Sequence, residues 1–513
     1  MKNAGRTVII ITLCTLACRA LGLISYQLYM SFFDAEATDI GVFVYALKFP
    51  DVIFTSVGAA LGTVVVPMYS SMLAKNETGR ADNFLHNIIS LSGLMLVALV
   101  LLGLAAAPLF PMFSDYKNDF YKLGYAAFLL RVLMPAMLFF GASYIFQGML
   151  QSRGRFLAPA CVTLPTSAMV IIYMVFFAGR FGVTGLALTM LAGLSAQAFF
   201  LVPSVLKTGY RYRPSFDYKN GDMRTAARMT PPVLAGVSAY QVNMIFNVSM
   251  ATYFGPTALL RINNAQYFAL AATLSVVYSI TAVYFPRLTA AWASGGEEEF
   301  KNNLSETMNT GLFFLIPLTA GFILLRYQLF DLVARWGSFG PDDVLLAGDF
   351  LALYSIGLIA MGLKEILDKG FYAQKNTKIS AAVGFLIMGI NVAFSLIFMK
   401  LIGAYALPLS YSVSCSAGVA VLLFMMKKKC GPFLGRVTPD SVKCAAAALM
   451  MSAVVLIVSY TLGLVFTSDG FAQRAVRLAV PAAAGAASYF AAAYVMRVGY
   501  CRKIFARGKG GGS

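Results

Sequence analysis

Long apolar runs, broken at intervals by short polar or charged loops, make up almost the whole chain. A membrane-crossing helix needs about 20 mostly apolar residues. Runs of that length fall at 7–32, 39–72, 84–110, 121–150, 157–179, 182–206, 226–253, 258–291, 302–325, 345–371, 378–399, 402–426, 440–466 and 473–497. Pro50, Pro67, Pro135, Pro203, Pro286 and Pro317 lie inside them, which predicts kinks that a bundle in lipid tolerates. The basic start, Met1 to Arg6, leads directly into a run too long for a cleavable signal peptide, so that run is read as the first crossing. The pattern predicts an all-α, polytopic membrane protein of about 14 transmembrane helices.

Composition agrees. Of 513 residues, 59% are hydrophobic and 12% charged, against about 25% charged in an ordinary soluble domain. The net charge of +18 does not point to nucleic acid, because no soluble stretch interleaves basic and aromatic residues. It reflects the gathering of Lys and Arg in cytoplasmic loops. Lys2, Arg6, Lys75, Arg80, Arg153, Arg155, the group from Lys207 to Arg228, Lys375, Lys378 and Lys427 to Lys429 share one side. Few basic residues, such as Lys117, Lys122, Arg180 and Arg326, occupy the other. Both termini are therefore expected in the cytoplasm. One His and seven Cys, with no CxxC pair, argue against a metal or redox centre, and no cofactor is expected. No GxxxxGK[ST] loop occurs. Transport would then draw on an ion gradient (a monovalent ion), on the membrane potential, or on the substrate's own gradient.

An internal repeat is visible at an offset of roughly 220 residues. Val66-Pro67-Met68-Tyr69 with Asn83-Phe84-Leu85-His86-Asn87 matches Phe285-Pro286-Arg287-Leu288 with Phe300-Lys301-Asn302-Asn303. Gly148 to Gln151 matches Gly370 to Gln374, and Gly182 to Leu188 matches Gly403 to Leu409. The repeat covers six helices, an even number, so the halves keep one orientation, as in parallel-repeat transporters. This predicts two parallel six-helix lobes plus two C-terminal helices. The expected boundaries are an N-lobe over 1–206, a basic cytoplasmic linker over 207–225, a C-lobe over 226–430, helices 13 and 14 over 431–506, and an appended flexible linker over 507–513.

Ionisable residues inside a span are costly and face a cavity or a partner. Arg19, Lys48, Asp51, Arg131, Arg261, Lys364, Glu365, Asp368 and Lys369 qualify. Lys364 with Asp368, and Glu365 with Lys369, are spaced to pair on one helix, as are Lys48 and Asp51 around Pro50. Arg19, Arg131 and Arg261 have no local acid. They would either form a basic cavity for an anionic, phosphate-bearing substrate or, for Arg131 and Arg261, snorkel to headgroups. Ser238, Gln241, Asn243 and Asn247 would line that cavity or join helices by hydrogen bonds.

These residues carry a resemblance. Cys18-Arg19-Ala20-Leu21-Gly22, Ala37-Thr38-Asp39, Ala46-Leu47-Lys48-Phe49-Pro50, Gly154-Arg155-Phe156-Leu157-Ala158-Pro159, Pro232 to Ser238 followed by Gln241 and Asn243, Phe285-Pro286-Arg287-Leu288, and Gly370-Phe371-Tyr372-Ala373 stand in order over the chain. In this the chain resembles the MurJ (MviN) lipid II flippase family of the MOP transporter superfamily. The resemblance implies a central cationic cavity and a lipid groove lined by helices 13 and 14. It implies a transporter rather than an enzyme, in the bacterial cytoplasmic membrane. The implied cargo is lipid II, or a related polyprenyl-pyrophosphate lipid, moved from the inner to the outer leaflet for cell-wall synthesis, with cell-wall synthesis proteins as implied partners. Arg19, Asp39 and Lys48 match cavity residues of the family; Arg261, Gln241 and Asn243 complete the candidate substrate-binding set. The chain departs from the family where Ser25, Tyr26, Phe54, Thr55, Gln266 and Tyr267 stand at positions the family often gives to charged residues. A flippase for another polyprenyl-linked glycan, a multidrug antiporter of the MATE type, and a membrane scaffold are the competing readings. A drug-cation exporter calls for unpaired membrane acids, whereas this chain offers unpaired bases.

Overall fold

The computed structural model describes residues 14, 17–18, 20–30, 32–33, 38–335, 339–374, 376–466 and 470–499. Arg19 and the linker at 507–513 lie outside them. The described residues are helical, without a strand. After a helical stretch at 20–30 come α1 (Thr38–Ala74), α2 (Thr78–Ala106), α3 (Phe120–Leu133), α4 (Ala136–Ser152), α5 (Leu164–Phe176), α6 (Ala178–Leu206) and α7 (Gly221–Ala251). They are followed by α8 (Gly255–Ala293), α9 (Glu297–Leu324), α10 (Pro341–Ile356), α11 (Leu358–Ala373), α12 (Thr377–Ile402), α13 (Ala406–Cys430), α14 (Thr438–Val465) and α15 (Phe471–Val495), with short helical turns between.

Nine stretches among the described residues are long and apolar enough to cross a membrane, or ten with the pair α10 and α11, which bend by 44° at their junction. Two of the nine, Gln241–Trp292 with 52 residues and Thr377–Cys430 with 54, each contain two helices. A straight helix of either length would run on the order of 80 Å, over twice the hydrocarbon core, so each stretch makes two crossings. The helical residues at 20–30 and α1 fall within the first two apolar runs, so described helices lie in each of the fourteen runs expected from the apolar pattern.

The internal repeat extends to the backbone. Gly182 (φ 58°, ψ −151°) near the start of α6 and Gly403 (φ 61°, ψ −141°) before α13 adopt the same conformation. That region is essentially closed to residues with a side chain, so the two glycines are required rather than incidental. Asn76 (φ 59°) after α1 and Gly295 (φ 74°) after α8 close equivalent helix ends in the left-handed region. The fourth and tenth crossings are both broken, between α3 and α4 and between α10 and α11.

The chain divides into two compact units, with the boundary at Thr257 and Ala258. In the first, α1 packs along α3, α4 and α7, while α6 packs on α4 and α5. Thus α7 belongs by contact with the helices before it. Tyr69, Met72, Phe84, Leu85, Met149, Leu201, Tyr210 and Met223 form a core at one end of this unit. In the second unit α11 and α12 each pack on α13, and α9 packs on α14. There, small residues (Ala447 and Ala448 of α14; Ala492 and Ala493 of α15) meet Phe313 and Tyr489. Small side chains let helix backbones approach closely in lipid. The Tyr489 hydroxyl donates to the Phe313 carbonyl at 2.7 Å.

The start of α7 is held to α2 by a two-pronged pair. Arg80 Nε donates to Asp222 Oδ2 at 2.9 Å and Nη2 donates to Oδ1 at 2.8 Å. The Arg80 guanidinium holds the Asp222 carboxyl below its usual range. A carboxyl shifted in this direction contributes stability that is complete above its unfolded value of about 4 and is lost as pH falls through the lower folded value. Protection of the amides at 220–224, corrected for the intrinsic pH dependence of exchange, is therefore expected to stay constant from pH 7 to pH 5 and to fall only below about pH 4. Exchange measurements that place this loss of protection near neutrality would overturn this assignment.

Candidate functional site

Register along α1 and α7 locates the polar residues of the first unit. A Cβ at Gly41 would lie 3.0 Å from the Pro256 side chain. Tyr45 lies against Ser249 and Tyr253, and its hydroxyl donates to the Phe110 carbonyl at 2.8 Å. At the other end, Met72 and Met223 share one core. The helices therefore run antiparallel in a constant register. This sets Lys48 level with Asn247 and Asp51 level with Met244, one residue from Asn243.

Lys48 is half-buried and close enough to Asp51 for direct attraction between their charges, as their spacing predicts. Gln241, Asn243 and Asn247 are buried at 7%, 2% and 3% exposure. Asn243 Oδ1 and both polar atoms of the Asn247 side chain have no hydrogen-bond partner. Leaving a buried polar group unsatisfied costs about 1–3 kcal/mol. The register thus sets Lys48 level with Asn247, and Asp51 level with Met244 and close to Asn243, with hydrogen-bonding capacity left over on both asparagines; Gln241 lies about 9 Å further along α7 from the level of Lys48.

Asp39 occupies the first turn of α1. Its Oδ1 accepts a hydrogen bond from the Tyr121 hydroxyl of α3 at 3.0 Å. Tyr121 in turn stacks on Tyr125 with centroids 5.8 Å apart, and the Tyr125 hydroxyl shares a hydrogen bond of 3.0 Å with Thr184. Asp39 is therefore about two and a half turns from Lys48 on the same helix and is held by a different set of partners. Nothing in the apolar pattern pointed to Tyr121, which is 82 residues away in the chain.

Arg261 belongs to the second unit, and its side chain is fully buried. Its Nε donates to Asp343 Oδ1 at 2.9 Å, and the guanidinium lies 3.9 Å from the centre of the Phe339 ring. The other carboxylate oxygen of Asp343 accepts the Gly340 N–H at 2.9 Å, capping α10. Arg261 thus has an acid after all, supplied from 82 residues downstream. Arg131 is exposed on α3.

The charged turn of α11 also differs from its expected pairing. Lys364 takes both acids, Asp368 at 2.8 Å and Glu365 at 3.3 Å. Lys369 instead lies over the rings of Phe285 and Tyr372, each at 5.6 Å. Lys364 and Asp368 are one turn apart on α11, and Lys369 finds a ring on α8 and another on its own helix instead of the Glu365 carboxylate. Ser25, one of the departures from the family pattern, is buried and returns its hydroxyl to the Gly22 carbonyl at 2.9 Å. Gln266 is buried, with Nε2 unpartnered.

Between α14 and α15 lies an apolar cavity of about 520 Å³, lined by Met450, Ala453, Val454, Ala491, Val495 and Met496. Its lining offers dispersion contacts and almost nothing to a charged group.

The sequence profile of the family described as Lipid II flippase MurJ matches residues 30–472. A Vibrio cholerae relative bearing the MurJ name is 23% identical over 96% of this chain and 95% of its own length. The Lipid II flippase MurJ of Burkholderia cenocepacia is 24% identical over 83% of this chain and 84% of its own. Among solved structures, a lipid II flippase MurJ in an inward closed conformation superposes with a TM-score of 0.78 at 20% identity, covering 97% of this chain and all of that one. An inward-facing multidrug resistance MATE transporter of the MOP superfamily superposes with a TM-score of 0.66 at 14% identity, covering 82% of this chain and 98% of that one.

Proposed function

The chain belongs to the Lipid II flippase MurJ family, and from that premise we propose that it moves lipid II, the undecaprenyl-pyrophosphate-linked peptidoglycan precursor, from the inner to the outer leaflet of the bacterial cytoplasmic membrane. Both termini lie in the cytoplasm, the side to which Lys and Arg sort. The observation that carries this reading is the pairing of two chemistries in one membrane chain. Lys48 stands level with buried, unsatisfied amides on α7, which suits a pyrophosphate. The cavity between α14 and α15 is apolar, which suits a polyprenyl tail. Arg19 and Asp39 join Lys48 in the headgroup set, with Gln241 and Asn243 as hydrogen-bonding partners. Arg261 acts from its pair with Asp343, so it orients the outer end of α8 and adds a positive potential.

The lobes alternate access around the headgroup, driven by the membrane potential or a monovalent-ion gradient, and the cargo passes to cell-wall synthesis proteins outside. A second cargo, another polyprenyl-linked glycan, is favoured by one observation: Ser25, Tyr26, Gln266 and Tyr267 are uncharged at positions where the family resemblance implies charge. A drug-cation antiporter is less well supported, because Asp51 and Asp368 each have a lysine at hand.

The test is rescue. Cells depleted of their own lipid II flippase and supplied with this gene are expected to regain growth and surface-exposed lipid II. Arg19→Ala is expected to abolish rescue and Arg131→Ala to retain it. A well-inserted protein that restores neither growth nor exposed lipid II would rule out this cargo.

A further inference from the structure

Residues 207–220 join α6 to α7 without helix or strand, yet they are tied down along their length. Arg153 Nη1 and Arg155 Nη2 donate to the carbonyls of Thr208 and Lys207 at 2.8 and 3.0 Å. Three residues on one face of α2 hold the rest. His86 Nδ1 bonds the Tyr210 hydroxyl at 3.0 Å and accepts the Arg213 N–H at 3.2 Å. Ser90 Oγ bonds the Tyr212 hydroxyl at 2.7 Å and accepts the Ser215 N–H at 3.0 Å. Asn87 Oδ1 accepts from the Ser215 hydroxyl at 2.7 Å and the Asp217 N–H at 2.8 Å. These bonds engage two carbonyls and three N–H groups of the strap and leave its basic side chains Arg211, Arg213 and Lys219 exposed, as is Arg224 in the first turn of α7. Between them Tyr212, Phe216 and Tyr218 are exposed by 46%, 57% and 67%.

The level of the strap matters as much as its charge. It is fastened not to the charged start of α2 but to His86, Asn87 and Ser90, where the apolar run of that helix begins. That is the depth of the headgroups, the zone where Tyr and other aromatic rings concentrate. Residues 207–228 carry six cations and two carboxylates, and one of those carboxylates, Asp222, is already engaged by Arg80. Basic residues at this depth attract anionic lipid, and a strap already ordered by its own hydrogen bonds loses little freedom on binding.

We propose that the 207–220 strap, with Arg224, is a docking surface for the anionic headgroups of phospholipids in the leaflet it faces. This is a lipid site separate from the path of the cargo, and it does not depend on what the cargo is. The exposed aromatic rings seat at the interface while Arg211, Arg213, Lys219 and Arg224 pair with headgroup phosphates. The site anchors the junction between α6 and α7 to the membrane surface.

Electron spin resonance on the full chain in phosphatidylcholine vesicles, with spin-labelled phosphatidylglycerol or phosphatidylcholine as probe, reads the relative association of each lipid. The expected preference for phosphatidylglycerol is about fivefold at low salt, the effect of one juxtamembrane cation, and it falls as salt screens the charges. R211Q/R213Q/K219Q/R224Q is expected to bring the preference close to one. A milder pair, R211Q/K219Q, is expected to give an intermediate value and guards against misfolding of the fourfold variant. Neutralising Lys427, Lys428 and Lys429 instead is expected to leave most of the preference in place. An unchanged preference in the strap variants, or an equal fall in the Lys427–Lys429 variant, overturns the proposal. So does a strap that ignores phosphatidylglycerol but binds an added acidic peptide or a pyrophosphate lipid. Flippase rescue is read separately, so loss of one result leaves the other standing.

Discussion

Asp343→Ala is expected to cost the folded protein about 3–5 kcal/mol, the penalty for stranding one member of a buried ion pair. The partner left behind is Arg261, whose side chain has no solvent exposure and which cannot shed its charge. Its ring contact with Phe339 is present in both forms, so it does not offset the loss. The substitution also removes the cap on the Gly340 N–H, which adds to the loss. Arg261→Met is expected to cost less, because the Asp343 side chain keeps 16% exposure and its bond to Gly340. The double variant R261M/D343A is expected to be more stable than D343A alone. Thermal or denaturant unfolding of the purified chain in one detergent checks all three. Equal losses for the two single variants would mean that solvent reaches the guanidinium and that the pair is not a buried one.

The second large effect concerns transport. Lys48→Ala is expected to abolish rescue of a flippase-depleted strain while leaving insertion and thermal stability nearly intact. A charge-assisted hydrogen bond is worth about 1.5–3 kcal/mol, so losing one to a pyrophosphate corresponds to roughly a tenfold to hundredfold fall in affinity. The change also removes the cation beside Asp51, so the carboxylate's repulsion of the same headgroup is less offset. Lys48→Arg is expected to restore partial rescue because it keeps the charge, although the planar guanidinium presents its donors differently. Adding Asp51→Asn to Lys48→Ala is expected to recover less than Lys48→Arg does. Full rescue by Lys48→Ala at normal expression would remove Lys48 from the headgroup set. If Asp51→Asn alone abolished rescue and Lys48→Ala did not, the acid rather than the base would be the transport residue.

Much of this architecture is legible from local chemistry. A run of apolar side chains about 20 residues long has few solutions in lipid, because every backbone N–H and C=O must be satisfied within the run. The fourteen crossings therefore follow from the hydrophobic pattern alone. Gly182 and Gly403 are also readable, since a backbone conformation that excludes side chains forces the same residue type into both halves. The same holds for the lysine-rich loops, the spacing of Lys364 and Asp368, and the neighbourhood of Lys48 and Asp51. All of these depend on residues within a turn or two of each other.

Contacts between distant segments are a different matter. Asp343 for Arg261, Tyr121 for Asp39 and Asp222 for Arg80 lie 82, 82 and 142 residues from their partners, and no periodicity connects them. The turn of α11 shows the limit from the other side. Spacing allowed two pairs there, and Lys369 lies instead over the rings of Phe285 on α8 and Tyr372 on its own helix. The placement of α7 with α1 rather than with the helices after it, and the fastening of the 207–220 strap to His86, Asn87 and Ser90, likewise arise from surfaces that meet only in three dimensions. The crossings, the twofold internal pattern and the kind of charge placed in the membrane follow from the residues alone, because lipid penalises each residue according to its own chemistry. Which charge meets which partner follows from packing, because a pairing energy depends on distance through space and is blind to distance along the chain.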